Sequence, residues 1–289
     1  MSNSKHPAGL PTKVGVLGGG RMGAGIAHAF LIKGADVVVV ERDEAAAQAA
    51  RERVESSAAK SIERGVEDGN LDEMASRLTV SVDYADFGDR ELVVEAVPED
   101  LDLKVASLRA VEERLAPGAV LASNTSSLSV SDLAEQLARP RDFLGLHFFN
   151  PVPASTLIEV VIGRQTRPEL VDTSRGWVQA LGKTAVVVND APGFASSRLG
   201  VAIALEAMRM VEEGVASAED IDNAMVLGYK HPTGPLKTTD IVGLDVRLGI
   251  AEYLHKTLGD RFAPPQILRD KVAAGELGRK TGKGFYDWS

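Results

Sequence analysis

The first 190 residues alternate between short β-branched runs and longer stretches with helical periodicity. Lys13 to Leu17 and Asp36 to Val40 have the length and composition of strands, and a helical pattern from near Ala24 to Gly34 lies between them. Asp43 to Arg64 is rich in Ala, Glu and Arg and contains neither Pro nor Gly. This composition predicts a long, mostly exposed helix that ends at Gly65.

The later apolar runs before residue 190 also have strand length, and helical stretches separate several of them. Alternation of this kind is typical of an α/β fold and predicts a doubly wound, Rossmann-type, mostly parallel sheet. The further predicted strands are Leu78 to Val82, Leu92 to Ala96, Val120 to Ser123, Phe143 to His147, Leu157 to Ile162 and Thr184 to Val188.

Helical patterns replace the strands after residue 190. We therefore predict a Rossmann domain at residues 13–190 and a smaller all-α C-terminal domain at residues 191–289. The apolar content of these helices predicts that they pack on the first domain or on a second subunit. Residues 1–12 are polar and interrupted by proline, which predicts a disordered tail. The predicted C-terminal helices are Ser197 to Glu213, Ala218 to Leu227, Thr238 to Leu258 and Ala263 to Ala274.

Composition narrows the possible chemistry. The 289 residues are 44% hydrophobic and include no cysteine, which excludes disulfides, thiolate metal sites and cysteine nucleophiles. The net charge of −9 disfavours binding to nucleic acid or to an anionic membrane, so an anionic substrate would need a local basic patch. No apolar run approaches the roughly 20 residues that span a bilayer. We expect a cytoplasmic protein whose redox chemistry depends on a bound cofactor.

The segment Gly18-Gly19-Gly20-Arg21-Met22-Gly23 fits the pattern G-x-G-x-x-G between a predicted strand and a predicted helix. Glycines in this pattern allow a tight turn and let a pyrophosphate approach the backbone at the helix N-terminus. Glu41 follows at the end of the second strand, where a carboxylate can accept both adenosine ribose hydroxyls and repel a 2′-phosphate. The sequence therefore predicts NAD as the cofactor rather than NADP. Arg42 beside it is interpreted as a solvated turn residue.

Two polar segments follow predicted strands and are expected at the carboxyl edge of the sheet, where doubly wound folds bind ligands. They are Ser123-Asn124-Thr125-Ser126-Ser127-Leu128 and Gly145-Leu146-His147-Phe148-Phe149-Asn150-Pro151-Val152-Pro153. Histidine is the side chain whose unperturbed pKa best suits proton exchange near neutrality. His147 is therefore the candidate acid/base. No histidine pair has a metal-site spacing, and no metal is predicted.

Five segments in this order resemble the L-3-hydroxyacyl-CoA dehydrogenase family, and the length is most similar to its short bacterial 3-hydroxybutyryl-CoA members. They are the glycine segment, the two polar segments, His231-Pro232-Thr233-Gly234-Pro235 and Gly278-Arg279-Lys280-Thr281-Gly282-Lys283-Gly284-Phe285-Tyr286. The resemblance runs from about Lys13 to the end. It implies hydride transfer between NAD and C3 of a 3-hydroxyacyl-CoA, either 3-hydroxybutyryl-CoA or a longer one, to give the 3-oxoacyl-CoA. Fatty acid metabolism is one setting for this reaction.

By position, His147 matches the family's catalytic histidine, Glu159 its carboxylate partner and Ser126 the serine that hydrogen-bonds the reacting oxygen. A carboxylate on one imidazole nitrogen fixes the tautomer while the other nitrogen takes the hydroxyl proton. The positions that match cofactor contacts of the family are Asn150, near the nicotinamide, and Glu99, Lys104 and Lys280. For the last three, the residues alone favour ordinary solvated surface charges.

The resemblance also assigns the long second helix to coenzyme A, with Ser57 at a contact position and Arg64 where a lysine is usual. Lys60 lies between them and is a weaker candidate, since an exposed helical lysine is usually solvated. One departure concerns Ser197, which stands where the family has an asparagine that helps to hold the substrate oxygen. Loss of one such donor can cost about 3 kcal/mol, so either the Ser197 hydroxyl substitutes or the preferred substrate differs.

Three other interpretations compete with an acyl-CoA dehydrogenase. A Ser/His/Glu hydrolase fails because Ser126 lacks a glycine-flanked nucleophile elbow and hydrolysis leaves the glycine segment unexplained. A relative that oxidises a free hydroxy acid would lack basic residues such as Lys60 and Arg64 on the second helix. A non-enzymatic dinucleotide-binding protein has only Ser197 in its favour. The family resemblance also implies a homodimer that binds acyl-CoA.

Overall fold

A computed structural model describes residues 9–65 and 70–289 of the chain. The chain divides into two compact units, one ending at Asp190 and the other comprising Ala191–Ser289. Residues 1–8 of the predicted tail lie outside the described residues. The prediction of a disordered tail up to residue 12 is wrong for the last residues of that segment. Leu10 is buried in the first unit's core, because its apolar side chain finds a site there, and the Thr12 backbone N–H donates to the Glu91 carboxylate at 2.7 Å.

The first unit is built on one eight-stranded sheet with the order β3-β2-β1-β4-β5-β6-β7-β8. All neighbouring strands are parallel except β6 and β7, which are antiparallel. The predicted doubly wound, mostly parallel fold is confirmed. The strands are β1 (Lys13–Leu17), β2 (Asp36–Val40), β3 (Leu78–Ser81), β4 (Leu92–Glu95), β5 (Val120–Ser123), β6 (Phe143–Phe148), β7 (Leu157–Ile162) and β8 (Thr184–Asn189).

Helices cover both faces of this sheet. The α-helices are α1 (Arg21–Leu31), α2 (Glu44–Glu63), α3 (Leu71–Ser76), α4 (Leu101–Glu112), α5 (Val130–Ala134) and α6 (Glu169–Ala180), with short 3₁₀ turns at Tyr84–Phe87 and Pro140–Asp142. Residues such as Val14 and Val39 point to the face that carries α1, α2 and α6, where they share one apolar core. Alternate residues point to the other face, where α4 packs on β4 and α5 on β6.

The α2 helix is less exposed than its composition predicts. It buries Ala47, Ala50, Val54 and Ala58 along one side, where α2 packs against α1. Small side chains at three of these four positions let the two helices approach closely. The opposite side of α2 carries its charged residues, which is why the composition of this segment is that of a solvated helix.

The second unit is helical. Its helices are α7 (Ser196–Glu212), α8 (Ala218–Tyr229), α9 (Pro235–Val242), α10 (Leu244–Leu258) and α11 (Gln266–Ala273), with 3₁₀ turns at Asp260–Phe262 and Arg279–Thr281. The single helix predicted from Thr238 to Leu258 is wrong. Gly243 has φ +110°, a conformation that no helix contains, and it separates α9 from α10. None of the described helices is long and apolar enough to cross a membrane.

One buried carboxylate fastens the end of the chain to the second unit. The Asp240 side chain on α9 is fully buried and accepts hydrogen bonds from the backbone N–H groups of Phe285 and Tyr286, both at 2.9 Å. It also accepts one from the indole Nε1 of Trp288 at 2.8 Å. These three donors compensate for the burial of the charge. The C-terminal motif is therefore part of the packing of this unit.

Candidate active site

The glycine segment forms a tight turn between β1 and α1, which begins at Arg21, three residues before its predicted start. Gly18 has φ +88°, a value that L-residues rarely adopt. A Cβ on Gly23 would lie 1.7 Å from the Gly18 carbonyl oxygen, so this position requires glycine for the turn itself. A Cβ on Gly20 would meet no protein atom within 4 Å. The turn therefore leaves open space at the helix N-terminus, where the pyrophosphate of a dinucleotide fits.

Glu41 directly follows β2 and is held against the glycine turn. One carboxylate oxygen, Oε1, accepts a hydrogen bond from the Gly19 backbone N–H at 2.7 Å, and the other accepts one from the Arg42 N–H at 3.1 Å. The half-buried carboxylate has further lone pairs for ribose hydroxyls. It borders a cleft of about 470 Å³, here called the β2 cleft, which is lined by Glu41, Arg42, Asp43, Ala45, Ala46, Ala49 and Arg53.

His147 and Glu159 form a buried pair on adjacent antiparallel strands. The register places His147 of β6 directly opposite Glu159 of β7, and the His147 Nδ1 lies 2.8 Å from Glu159 Oε2. Glu159 is fully buried and His147 is 6% exposed. The ring of Phe149 contacts the imidazole, with the two ring centroids 4.4 Å apart. The sequence placed both residues on strands, but it contains no local signal that these strands pair in this register.

Ser126 lies in the loop that follows β5, in the segment Asn124–Ser127, here called the serine loop. Its backbone N–H donates to Glu99 Oε1 at 2.9 Å, whereas its hydroxyl lies 3.5 Å from the same oxygen. Glu99 also accepts from the Thr125 hydroxyl at 2.5 Å and from the Ser127 N–H at 3.1 Å. Glu99 therefore fixes the serine loop and leaves the Ser126 hydroxyl only loosely held.

The pKa of the Glu99 carboxyl lies below its ordinary value. Partial burial alone would raise this pKa, but the charge of Lys104 and the hydrogen bonds from Thr125 and Ser126 together outweigh it. The Lys104 Nζ lies 3.2 Å from Glu99 Oε2. The carboxylate is consequently ionised near neutral pH, as an acceptor of this number of hydrogen bonds should be.

The interpretation of Lys104 as a solvated charge is wrong. Its side chain is 1% exposed, and its ammonium contacts Glu95 Oε1 at 2.7 Å and the Val97 carbonyl at 3.1 Å in addition to Glu99. Glu95, which the sequence analysis did not select, is fully buried at the end of β4 and accepts from the Ser123 hydroxyl at 2.6 Å. The sequence feature that could have identified Glu95 is its position as an acidic residue at the end of an otherwise apolar strand.

Sheet register brings these groups to the same edge and face. Glu95 pairs with Ser123 across β4 and β5, Ser123 pairs with Gly145 of β6, and His147 lies two residues further along β6 on the same face. Asn124 of the serine loop accepts a hydrogen bond from the Phe148 N–H at 2.8 Å. The serine loop and the strand that carries His147 are therefore directly connected.

The exposed side of α2 borders a second cleft, of about 560 Å³, here called the α2 cleft. Ser57 and Lys60 line it, and so does Asn150, which lies two residues beyond the end of the strand that carries His147. Arg64 lies at the C-cap of α2 and is not among the lining residues. Of the two basic candidates for coenzyme A, Lys60 is the one that lines this cleft. The full lining consists of Arg21, Ala24, Gly25, Ala49, Glu52, Arg53, Ser56, Ser57, Lys60, Asn150, Pro151, Val152 and Pro153.

Two candidates belong to the second unit. Ser197 is half-buried in the first turn of α7. Lys280 is exposed and forms an ion pair with Asp245, with Nζ to oxygen distances of 2.6 and 2.7 Å. This ion pair agrees with a surface position for Lys280. Among residues 9–65 and 70–289, no group of three or more His, Asp or Glu side chains is placed to hold a metal ion.

Comparisons with known proteins identify the family. Residues 13–191 match the 3-hydroxyacyl-CoA dehydrogenase NAD-binding domain, and residues 193–288 match the 3-hydroxyacyl-CoA dehydrogenase C-terminal domain. The chain belongs to the 3-hydroxyacyl-CoA dehydrogenase family. This confirms the family predicted from the five sequence segments, and NAD is the cofactor of the matched domain.

Full-length relatives support the assignment of this 3-hydroxyacyl-CoA dehydrogenase. A probable 3-hydroxybutyryl-CoA dehydrogenase of Deinococcus radiodurans is 41% identical and covers 96% of this chain and 100% of its own. The crystal structure of (S)-3-hydroxybutyryl-CoA dehydrogenase PaaH1 from Ralstonia eutropha is 38% identical with a TM-score of 0.92, covering 96% of this chain and 99% of that one. FadB2 of Mycobacterium tuberculosis is 39% identical with a TM-score of 0.92, covering 97% and 100%.

Substitutions in the glycine turn should separate its structural and ligand-binding roles in this 3-hydroxyacyl-CoA dehydrogenase. Gly20→Ala should leave the melting temperature unchanged but weaken NAD binding about tenfold or more, because the new methyl occupies only the space for the pyrophosphate. Gly23→Ala should lower the free energy of unfolding by about 3 kcal/mol, because its Cβ meets backbone. Calorimetric titration and thermal unfolding measure the two effects. Full NAD affinity in Gly20→Ala would contradict this assignment.

Proposed function

We propose that this dehydrogenase oxidises the 3-hydroxyl group of a 3-hydroxyacyl-CoA, either 3-hydroxybutyryl-CoA or a longer homologue, to the 3-oxoacyl-CoA. The observation that carries the proposal is the buried pair of His147 and Glu159 at the carboxyl edge of the sheet. This pair lies on the same sheet edge as the glycine turn of a family whose N-terminal domain binds NAD. The edge is where doubly wound folds place ligands.

His147 acts as the general base in the oxidation. The carboxylate of Glu159 accepts a hydrogen bond from Nδ1, which fixes the tautomer and leaves proton exchange with the substrate hydroxyl to Nε2. The negative charge of Glu159 stabilises the imidazolium that forms. NAD, when bound, supplies the acceptor for the hydride from C3. In the reverse direction, His147 returns the proton to the oxygen.

Serine hydroxyls hold the reacting oxygen in this proposal. The Ser126 backbone is fixed by Glu99, while its hydroxyl interacts only weakly with that carboxylate and can turn to a substrate oxygen. Ser197 fills the role of the family asparagine through its own hydroxyl or a bridging water. A hydroxyl reaches less far than an amide, so Ser197 favours a different distribution of substrates rather than a different reaction.

A coenzyme A thioester is favoured over a free hydroxy acid by the charge of the α2 cleft. Three cations, Arg21, Arg53 and Lys60, line it beside one carboxylate, Glu52. A chain with a net charge of −9 therefore presents a locally basic cleft, as a polyanionic ligand requires. The cofactor contacts proposed for Asn150, Glu99, Lys104 and Lys280 rest on family positions, with Lys104 acting through Glu99.

We also propose a homodimer formed through the helical unit, working in the cytoplasm on intermediates of fatty acid metabolism. Leu199 and Ile203 lie one turn apart on α7 and are 64% and 38% exposed, and Leu227 on α8 is 70% exposed. Exposed apolar residues of this kind are typical of subunit interfaces.

The assembly mass tests this interface. Sedimentation equilibrium should give twice the chain mass of 30.6 kDa, and Leu199→Glu should lower the measured mass, because a charge then replaces an apolar contact. A monomeric wild type would contradict this interface.

Replacing the base tests the reaction itself. His147→Gln should lower kcat for the reduction of acetoacetyl-CoA about 10³-fold, because the proton has no donor, while NADH still binds. NADH absorbance measures turnover and NADH fluorescence measures binding. The control is His255→Gln, which changes an exposed histidine of the second unit that pairs with Asp260. Near-normal turnover in His147→Gln would refute the mechanism.

Restoring the family residue tests the substrate contact. Ser197→Asn should raise kcat/KM for acetoacetyl-CoA roughly tenfold, because an amide adds a donor for the charge that develops on the substrate oxygen. The same measurement with longer 3-oxoacyl-CoA substrates shows whether Ser197 sets chain-length preference. If kcat/KM is unchanged for every substrate, the position lies outside the substrate site.

A further inference from the structure

Arg53 borders both clefts of the first unit. It lines the β2 cleft together with Glu41, and it lines the α2 cleft together with Ser57 and Lys60. Besides the small side chain of Ala49, it is the one residue that the two linings share. A ligand in either cleft therefore lies within reach of the same guanidinium group.

The guanidinium is held against the glycine turn. Arg53 Nη1 donates to the Gly19 carbonyl at 3.2 Å. The contact is possible because Ala50 brings α2 close to the turn. A Cβ on Gly19 would lie 2.3 Å from the Ala50 methyl, which shows how little space separates the two segments. Arg53 lies one turn further along α2, so its side chain crosses from the helix to the turn.

Most of the hydrogen-bonding capacity of Arg53 is left for ligands. A guanidinium has five N–H donors, and the Gly19 carbonyl uses one of them. In the described part of the chain, no carboxylate forms an ion pair with Arg53, although Glu52 borders the same cleft. The neighbouring Arg51, in contrast, pairs with Glu55 at 3.5 Å. Arg53 is also an exposed residue of α2.

We propose that Arg53 is shared by the phosphate groups of NAD and of the acyl-CoA, and that it offsets the repulsion between them when both are bound. The inference rests on the proposed function, because it requires an acyl-CoA in the α2 cleft. Two polyanions in adjacent clefts repel each other, and a planar cation between them can donate to both. Arg53 is in this view a residue that couples two binding events. A contact with only one ligand would produce no coupling.

Coupling makes a specific thermodynamic prediction. The affinity for NAD, measured with and without acyl-CoA, defines a coupling factor, and the same factor must describe the reverse effect of NAD on acyl-CoA. Removing Arg53 should weaken each ligand and, in addition, make their joint binding less favourable. A residue that merely stabilises the glycine turn would lower NAD affinity without changing this factor.

The experiment is calorimetric titration of NAD and of acetoacetyl-CoA, each alone and with the other at saturation. Both compounds are oxidised, so the ternary complex does not turn over. Arg53→Gln should weaken each ligand about tenfold and lower the coupling factor about threefold further. Arg53→Lys should retain most of both effects because the charge remains. Arg51→Gln removes a cation from the same helix and should behave as wild type.

A phosphate-free probe identifies the groups involved. With S-acetoacetyl-pantetheine in place of acetoacetyl-CoA, Arg53→Gln and wild type should show the same coupling factor, because the thioester then carries no phosphate. Loss of NAD affinity alone, loss of both affinities with an unchanged coupling factor, or no change in either affinity would each overturn the shared role. A wild type that binds NAD but not acetoacetyl-CoA would overturn the acyl-CoA substrate as well, and it is recognised without any variant.

Discussion

The antiparallel pairing of β6 and β7 is the constraint on which the proposed chemistry depends. In a sheet that is otherwise parallel, this one ladder sets two residues directly opposite each other and brings the His147 imidazole to 2.8 Å from the Glu159 carboxylate. The register is secured two residues away, where Gly145 faces Val161 and a Cβ on Gly145 would lie 2.8 Å from the valine. A slip by one residue would move Glu159 to the opposite face of the sheet, away from His147.

The charged groups beside this ladder illustrate how burial is offset. Lys104 and Glu95 are almost fully buried, and an ion pair at such a position costs desolvation free energy on both sides. The cost is offset because Glu95 also accepts from Ser123 and Lys104 also contacts Glu99. The resulting network joins the ends of β4 and β5 to the start of α4. The network holds Glu99, which in turn fixes the serine loop that carries Ser126, the residue proposed to hold the substrate oxygen.

Much of the cofactor site could be predicted from the sequence, because local segments encode it. The glycine turn needs only its own residues and the two strands beside it, and Glu41 follows at a regular spacing. The proposed catalytic pair of His147 and Glu159 is different, since nothing in the sequence of β6 or β7 indicates that the two strands run antiparallel. Lys104 was misjudged for a related reason: a lysine on a helix looks solvated until the sheet supplies its buried partners. Arg53 was not among the predicted site residues, because it borders two clefts that form only when the chain is folded.

The departures in the second unit have a similar origin. Gly243 sits in an apolar stretch with helical periodicity on both sides, so the pattern continues through a residue whose backbone conformation ends the helix. The partners of Asp240 are more than 40 residues away in sequence, and only the fold reveals that the terminal motif completes its hydrogen bonding. During synthesis, Asp240 on α9 therefore lacks these hydrogen-bond donors until the last residues of the motif have been added. This unit can complete its folding only after residues 285–288 have left the ribosome, whereas the unit that ends at Asp190 can be complete earlier.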